Sequence, residues 1–230
     1  MNLLVERAKR LLATAGAALP AKVLLDAQIA LNYARLGRWM RDRGFTAPMR
    51  RTTRQDCWDQ VAATIGFRPV LYLEFGVYEG TSMKYWSKLL RHPDSRLHGF
   101  DSFEGLPESF DERAGLVHGA LDVNGQLPFV DDPRVTFHKG WFADTLPEFD
   151  MPPHDQLVLT LDADLYSSTR TVLQHLDRWI VPGTFIYFDD FAHMEHEPKA
   201  FGEYLQDTGK RFKLAVTVTG LNCSVFVCCP

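Results

Sequence analysis

The chain has 230 residues, 46% of them hydrophobic and 23% charged, with a formal net charge of -4 at pH 7. That length suits one ordinary domain with room for a helical extension, and the composition is that of a globular protein able to bury a full sheet core. The charge argues against a nucleic-acid partner, and no run approaches the ~18 apolar residues that argue for a membrane span.

Residues 1 to about 50 read as two helices broken near Gly16 to Pro20, with Leu24, Leu25, Ile29, Tyr33 and Leu36 near helical spacing. Basic residues from Arg7 to Arg51 concentrate there. A further helix over 54–65 places Trp58, Val61, Ala62 and Ile65 on one face, and Gly66 ends it. Residues 1–66 are therefore expected to form a helical cap or oligomer contact, with a homodimer as the expected assembly, and 67–230 the catalytic domain.

From Val70 the pattern changes to short apolar strands over 70–75, 96–100, 135–138, 157–161 and 184–188. Helices are expected over 82–90, 167–180 and 198–208. Two closing strands, 212–218 and 223–229, lie a short Gly-containing link apart and can pair antiparallel. Alternating strand and helix followed by a hairpin predicts an α/β fold: a doubly wound, mostly parallel sheet with an antiparallel C-terminal edge. The stretch 108–133 is long, polar and poorly periodic, which suits a lid. Cys57, Cys223, Cys228 and Cys229 have no zinc-like spacing and read as reduced thiols, as expected of a cytoplasmic protein.

The chemistry concentrates at strand ends. Asp162 and Asp164 follow one apolar run, and Asp189 and Asp190 follow another. Neighbouring parallel strands would bring these carboxylates to roughly 5 Å spacing, where like charges must titrate upward or share a cation. Oxygen-only ligands select Mg²⁺, Ca²⁺ or Mn²⁺ over zinc. A blander reading is that Asp189 and Asp190 cap a following helix.

The first strand leads into Gly76 and Gly80, and Thr81 or Ser82 can cap the next helix. It is not a dinucleotide fingerprint, because Tyr78 stands where a middle glycine is expected. Glu74 at the strand end repels phosphate and attracts an ammonium, so a cationic cofactor is expected. Asp101, followed by Ser102, ends the second strand where such sheets hold a ribose diol. His193 and His196 follow Asp190 by three and six residues, and either can face a substrate or relay a proton.

Five segments in this order, Glu74 to Ser82, Gly99 to Pro107, Gly140 to Pro147, Leu161 to Thr169 and Asp189 to Phe191, together resemble the macrocin O-methyltransferase (TylF-type) family. The resemblance covers about residues 70 to 191. It implies a Rossmann-like class I methyltransferase fold, S-adenosylmethionine and Mg²⁺ (or Mn²⁺) as cofactors, and methylation of a hydroxyl, commonly on a sugar. Carried over by position, it implies that Glu74 and Gly76 lie on the methionine side and that Asp101 contacts the ribose, with Thr81 and Ser102 as further cofactor-binding residues. Gly140 and Trp141 border the adenine; Asp162, Asp189 and Asp190 hold the metal; Asp164 is the general base, with His193 as a further catalytic candidate. Ala163 departs from the glycine expected between the two acids. A metal-dependent glycosyltransferase explains Asp162 and Asp164 but leaves Glu74 and Asp101 without a task. A non-catalytic module has no need to crowd four carboxylates.

Overall fold

The computed structural model describes residues 3–46, 49–110 and 115–230. It divides into two compact units, residues 1–43 and 44–230. The first consists of α1 (Leu3–Ala17) and α2 (Ala21–Asp42), separated by a turn in which Leu19 N–H donates to Gly16 O and Pro20 opens the second helix. The division falls at Arg43 rather than at Gly66. The helix expected to close the cap, α3 (Arg54–Ile65), instead belongs to the second unit, because its apolar face is spent on the sheet: Cys57, Trp58, Val61 and Ile65 pack into one buried cluster with Tyr72, Val158, Tyr187 and Val225. Thr53 and Asp56 close a reciprocal capping box at its start, satisfying two otherwise orphaned N–H groups.

The second unit is built on eight strands: β1 (Arg50–Arg51), β2 (Val70–Phe75), β3 (Arg96–Asp101), β4 (Val135–Lys139), β5 (Gln156–Leu161), β6 (Phe185–Phe188), β7 (Arg211–Val218) and β8 (Ser224–Cys229). They run in the order β1-β7-β8-β6-β5-β2-β3-β4. The central strands β3, β2, β5 and β6 pair in parallel, and β8 pairs antiparallel with both β6 and β7. Every residue of β2, β5 and β6 is buried, as expected of strands covered on both faces. The covering helices are α3, α4 (Thr81–Leu89), α6 (Tyr166–Leu176) and α7 (Glu197–Thr208), with a four-residue α5 (Phe142–Thr145) after β4. On one side Trp58 and Trp86 meet Tyr72 and Tyr187; elsewhere Phe45, Phe188, Phe191, Phe201 and Phe226 form a continuous set of ring contacts.

The register aligns the carboxyl ends. Phe75 stands opposite both Phe100 and Leu161, and Leu161 stands opposite Phe188, so the next residues of each strand emerge side by side. Cross-links continue past the strands: Gly76 N–H donates to Phe100 O, Asp162 N–H to Phe75 O, and Asp189 N–H to Leu161 O, all at 2.9–3.1 Å. The approach is so close that a Cβ on Gly76 would lie 1.9 Å from the Asp162 carbonyl oxygen, and its φ of +91° disfavours any side chain. Gly76→Ala should therefore destabilise the protein by about 2 kcal/mol or more, seen as a lower urea midpoint. An unchanged midpoint would mean that the two strand ends are not held in this contact.

Candidate active site

The aligned strand ends open into a cavity of about 520 Å³. Its wall includes Glu79, Asp101, Asp162, Asp164, Asp189 and Asp190 but a single cationic side chain among the described residues, Arg54. Such a chamber favours a ligand with net positive charge. The apolar wall comes from Val77, Leu106, Pro107, Leu121, Trp141 and Phe142.

At the floor, ligating oxygens of Asp162, Asp164 and Asp190 all lie within 4.8 Å of one another. Asp164 reaches this position through a tight turn rather than along an extended strand: its φ is +59°, and Leu165 N–H bonds back to Ala163 O at 2.5 Å. Aspartate is one of the few side chains that adopt this backbone readily. Burial, then a hydrogen bond and charge repulsion from Asp190, push the Asp164 carboxyl up to about 8. Asp162 is driven well above the usual carboxylate range by burial, then by Asp189 and Asp164. Asp189 lines the same cavity, acts on the Asp162 charge, and is restrained by further neighbours. It accepts a hydrogen bond from Tyr187 O–H, one from Arg54 Nη1 at 3.3 Å, and one from Cys223 Sγ at 3.4 Å.

Gly76, Thr81, Ser102 and Trp141 all line the cavity. Gly140 holds φ +144° at the end of β4, where its N–H donates to Asp101 O, and Trp141 opens α5 with its carbonyl accepting from Asp144 N–H and Thr145 N–H. Glu74 does not reach the wall. It is fully buried behind Ser82, whose Oγ–H donates to its Oε1, and the Tyr72 hydroxyl lies beside the same carboxyl. Asp101 is largely occupied by its own backbone surroundings: Val77 N–H and Tyr78 N–H donate to Oδ2 at 2.7 and 2.9 Å, and Phe103 N–H to Oδ1 at 2.8 Å. It therefore shapes the loop after β2, holding Tyr78 at φ +50° and Phe103 at φ +58°. Asp101 also lines the cavity, where its remaining acceptor capacity faces a ligand.

His193 lies at the rim. Its Nε2 is 3.9 Å from Asp190 Oδ1 and its ring packs 4.8 Å from Phe110, but it does not line the cavity. His196 also packs against Phe110, with ring centres 4.7 Å apart. Of the stretch 108–133, Leu116 and Leu121 line the cavity beside Leu106, and Ser167 Oγ–H bonds to Glu108 Oε1 at 2.5 Å. Residues 111–114 of that segment lie outside the described residues.

Two functional neighbours were not apparent from sequence. Glu197 is fully buried, accepts from Asp190 N–H at 3.0 Å, and is raised well above the usual range by burial and then by Asp190 and Asp189. Neither Glu197 nor Arg54 stands out in the sequence, because each lies near a helix start, where such side chains are ordinarily solvated.

The fold is that of the class I methyltransferases. It superposes on the O-methyltransferase NovP with a TM-score of 0.56 at 24% identity, covering 77% of this chain and 78% of that one. The chain belongs to the macrocin O-methyltransferase (TylF) family, whose model matches residues 45–215. It is 35% identical over 138 residues to the 8-demethyl-8-(2,3-dimethoxy-alpha-L-rhamnosyl)-tetracenomycin-C 4'-O-methyltransferase of Streptomyces olivaceus, covering 52% of each chain. It is 31% identical over 141 residues to the mycinamicin III 3''-O-methyltransferase of Micromonospora griseorubida, covering 52% of this chain and 54% of that one. The chain thus spans about half the length of the curated relatives it matches.

Burial pushes the Glu74 carboxyl up to about 8, opposed in part by the Ser82 hydrogen bond. Between the ordinary value and about 8 the folded state keeps a proton that the unfolded chain has released. Stability from this group is therefore full below the unfolded value and is lost as pH rises toward 8. Glu74→Gln should flatten the stability-against-pH curve by up to about 1.4 kcal/mol per pH unit across that window. Parallel curves for the two proteins would refute the buried, protonated state.

Proposed function

We propose that this protein transfers a methyl group from S-adenosylmethionine to a hydroxyl of a sugar on a glycosylated natural product, with Mg²⁺ or Mn²⁺ as a second cofactor. The observation that carries this reading is the convergence of Asp162, Asp164 and Asp190 within 4.8 Å at the floor of an acid-lined cavity. Four supports accompany it: family membership, the rhamnosyl substrate named for the tetracenomycin relative, a cavity whose charge suits a sulfonium with an ammonium, and the hard oxygen donors.

In this reading Gly76, Thr81, Ser102 and Trp141 border the cofactor directly, and Gly140, which does not line the cavity, sets the turn that presents Trp141. Glu74 acts on it through Ser82, and Asp101 through the loop it shapes. Asp162, Asp189 and Asp190 hold the metal. Tyr187 and Arg54 on Asp189, and the Asp190 backbone on Glu197, are the kind of outer partners that orient ligating carboxylates. When bound, the metal supplies positive charge that lowers the proton affinity of the acceptor hydroxyl. Asp164, held toward the floor by its own turn, receives that proton. Leu106, Pro107 and Leu121 exclude water from the methyl donor. His193 is placed to contact the acceptor at the rim rather than the reacting atoms.

Among the described residues no helix is long and apolar enough to cross a membrane. We assign the enzyme to the cytoplasm, where its four free cysteines would stay reduced. Leu11 and Leu12, 71% and 73% exposed on α1, support a homodimer contact in the first unit.

The test is transfer of labelled methyl to a rhamnosyl acceptor in the presence of Mg²⁺, with metal and cofactor affinities measured alongside. Asp164→Asn should keep both affinities and lose roughly 10²-fold or more in turnover. Loss of metal affinity would make Asp164 a ligand instead. Failure of the wild type to methylate any hydroxyl acceptor would remove the proposed activity.

A further inference from the structure

Arg54 is the one cationic side chain lining a cavity that also carries six carboxylates among the described residues. Its backbone is fixed at the first position of α3 by the Thr53–Asp56 capping box, and its guanidinium carbon lies 5.5 Å from the centre of the buried Trp58 ring. The aim of the side chain is thereby constrained from both ends. Of its five N–H groups, one bonds to Asp189, by a single contact at 3.3 Å, and the others have no protein acceptor among the described residues. About a third of the side chain stays open to solvent. Burial works against its charge, yet Asp189 and Asp162 outweigh that, so the guanidinium holds its proton more firmly than usual.

A cofactor with an ammonium and a sulfonium suits this chamber, but S-adenosylmethionine also carries one carboxylate. Placed among six acids, that carboxylate is repelled unless a cation meets it. Arg54 lines the same cavity as Gly76 and Ser82 and interacts electrostatically with Asp162 and with Glu74, the residues around the end assigned above to the methionine. The planar fork of arginine matches a carboxylate better than any other side chain. Resting on the cofactor reading above, we propose that Arg54 binds the methionyl carboxylate of S-adenosylmethionine, using N–H groups that Asp189 leaves free. Asp189 then acts as the anchor that aims the guanidinium.

The test is calorimetric titration of wild type and Arg54→Gln with S-adenosylmethionine and with decarboxylated S-adenosylmethionine, which differ only in that carboxylate. Arg54→Gln should lose about tenfold or more in affinity for S-adenosylmethionine, while its affinity for the decarboxylated ligand stays within about twofold of wild type. If Arg54→Gln does not fold, Arg54→Lys keeps a charge for Asp189 and should still lose affinity severalfold for the carboxylated ligand alone. Equal losses for both ligands, or none for either, would overturn the assignment while leaving the cofactor reading intact. No binding of either ligand by the wild type would overturn both.

Discussion

Everything at the functional end of this molecule follows from carboxylates placed on adjacent parallel strands. The pairing of Leu161 with Phe188 makes Asp162 and Asp189 emerge side by side, and the residues after them, Asp164 and Asp190, have nowhere to go but the same crevice. Burial and mutual repulsion push Asp162 and Asp164 far above their ordinary values. Removing one charge would relieve the repulsion. The chain keeps the acids together and adds the buried Glu197 against the Asp190 backbone, a grouping that the cation proposed above would neutralise.

The surroundings are organised to hold this arrangement in place. Asp189 is restrained by Tyr187, Cys223 and Arg54, and the Asp190 backbone by Glu197. Gly76 lets the loop after β2 lie directly on the Asp162 carbonyl, which couples that loop to the acid floor. Asp101 holds the next stretch of that loop through three backbone N–H groups. The two halves of the site are thus not separate pockets but one continuous edge of backbone.

The sheet was legible because its central strands are buried on both faces and so appear as unbroken apolar runs; β2 and β5 fall within a residue of their expected ends. The two-residue β1, Arg50–Arg51, could not be read, since its pairing with β7 depends on tertiary position and its side chains are both charged. The extent of the first unit was misjudged for a related reason: the apolar stripe of α3 says that it packs, not against what. At the site, the residue types and their order were readable, because a strand end fixes where a side chain starts. Where it ends was not. Burial of Glu74, the three backbone donors on Asp101, the turn at Asp164 and the restraint of Asp189 all depend on loop geometry. Arg54 and Glu197 escaped notice because an arginine or glutamate near a helix start is ordinarily solvated.

If the crowded acids are a cation site, the folded state must bind a divalent ion that the unfolded chain does not, and stability must rise with its concentration. The most direct measurement is thermal unfolding near neutral pH in MgCl₂ against NaCl of equal ionic strength, for the wild type and for a variant carrying Asp162→Asn and Asp190→Asn. The wild type should melt several degrees higher in MgCl₂, as expected once the ion exceeds its dissociation constant about a hundredfold, and the variant should show no difference between the salts. Coincident melting curves for the wild type in the two salts would contradict the account.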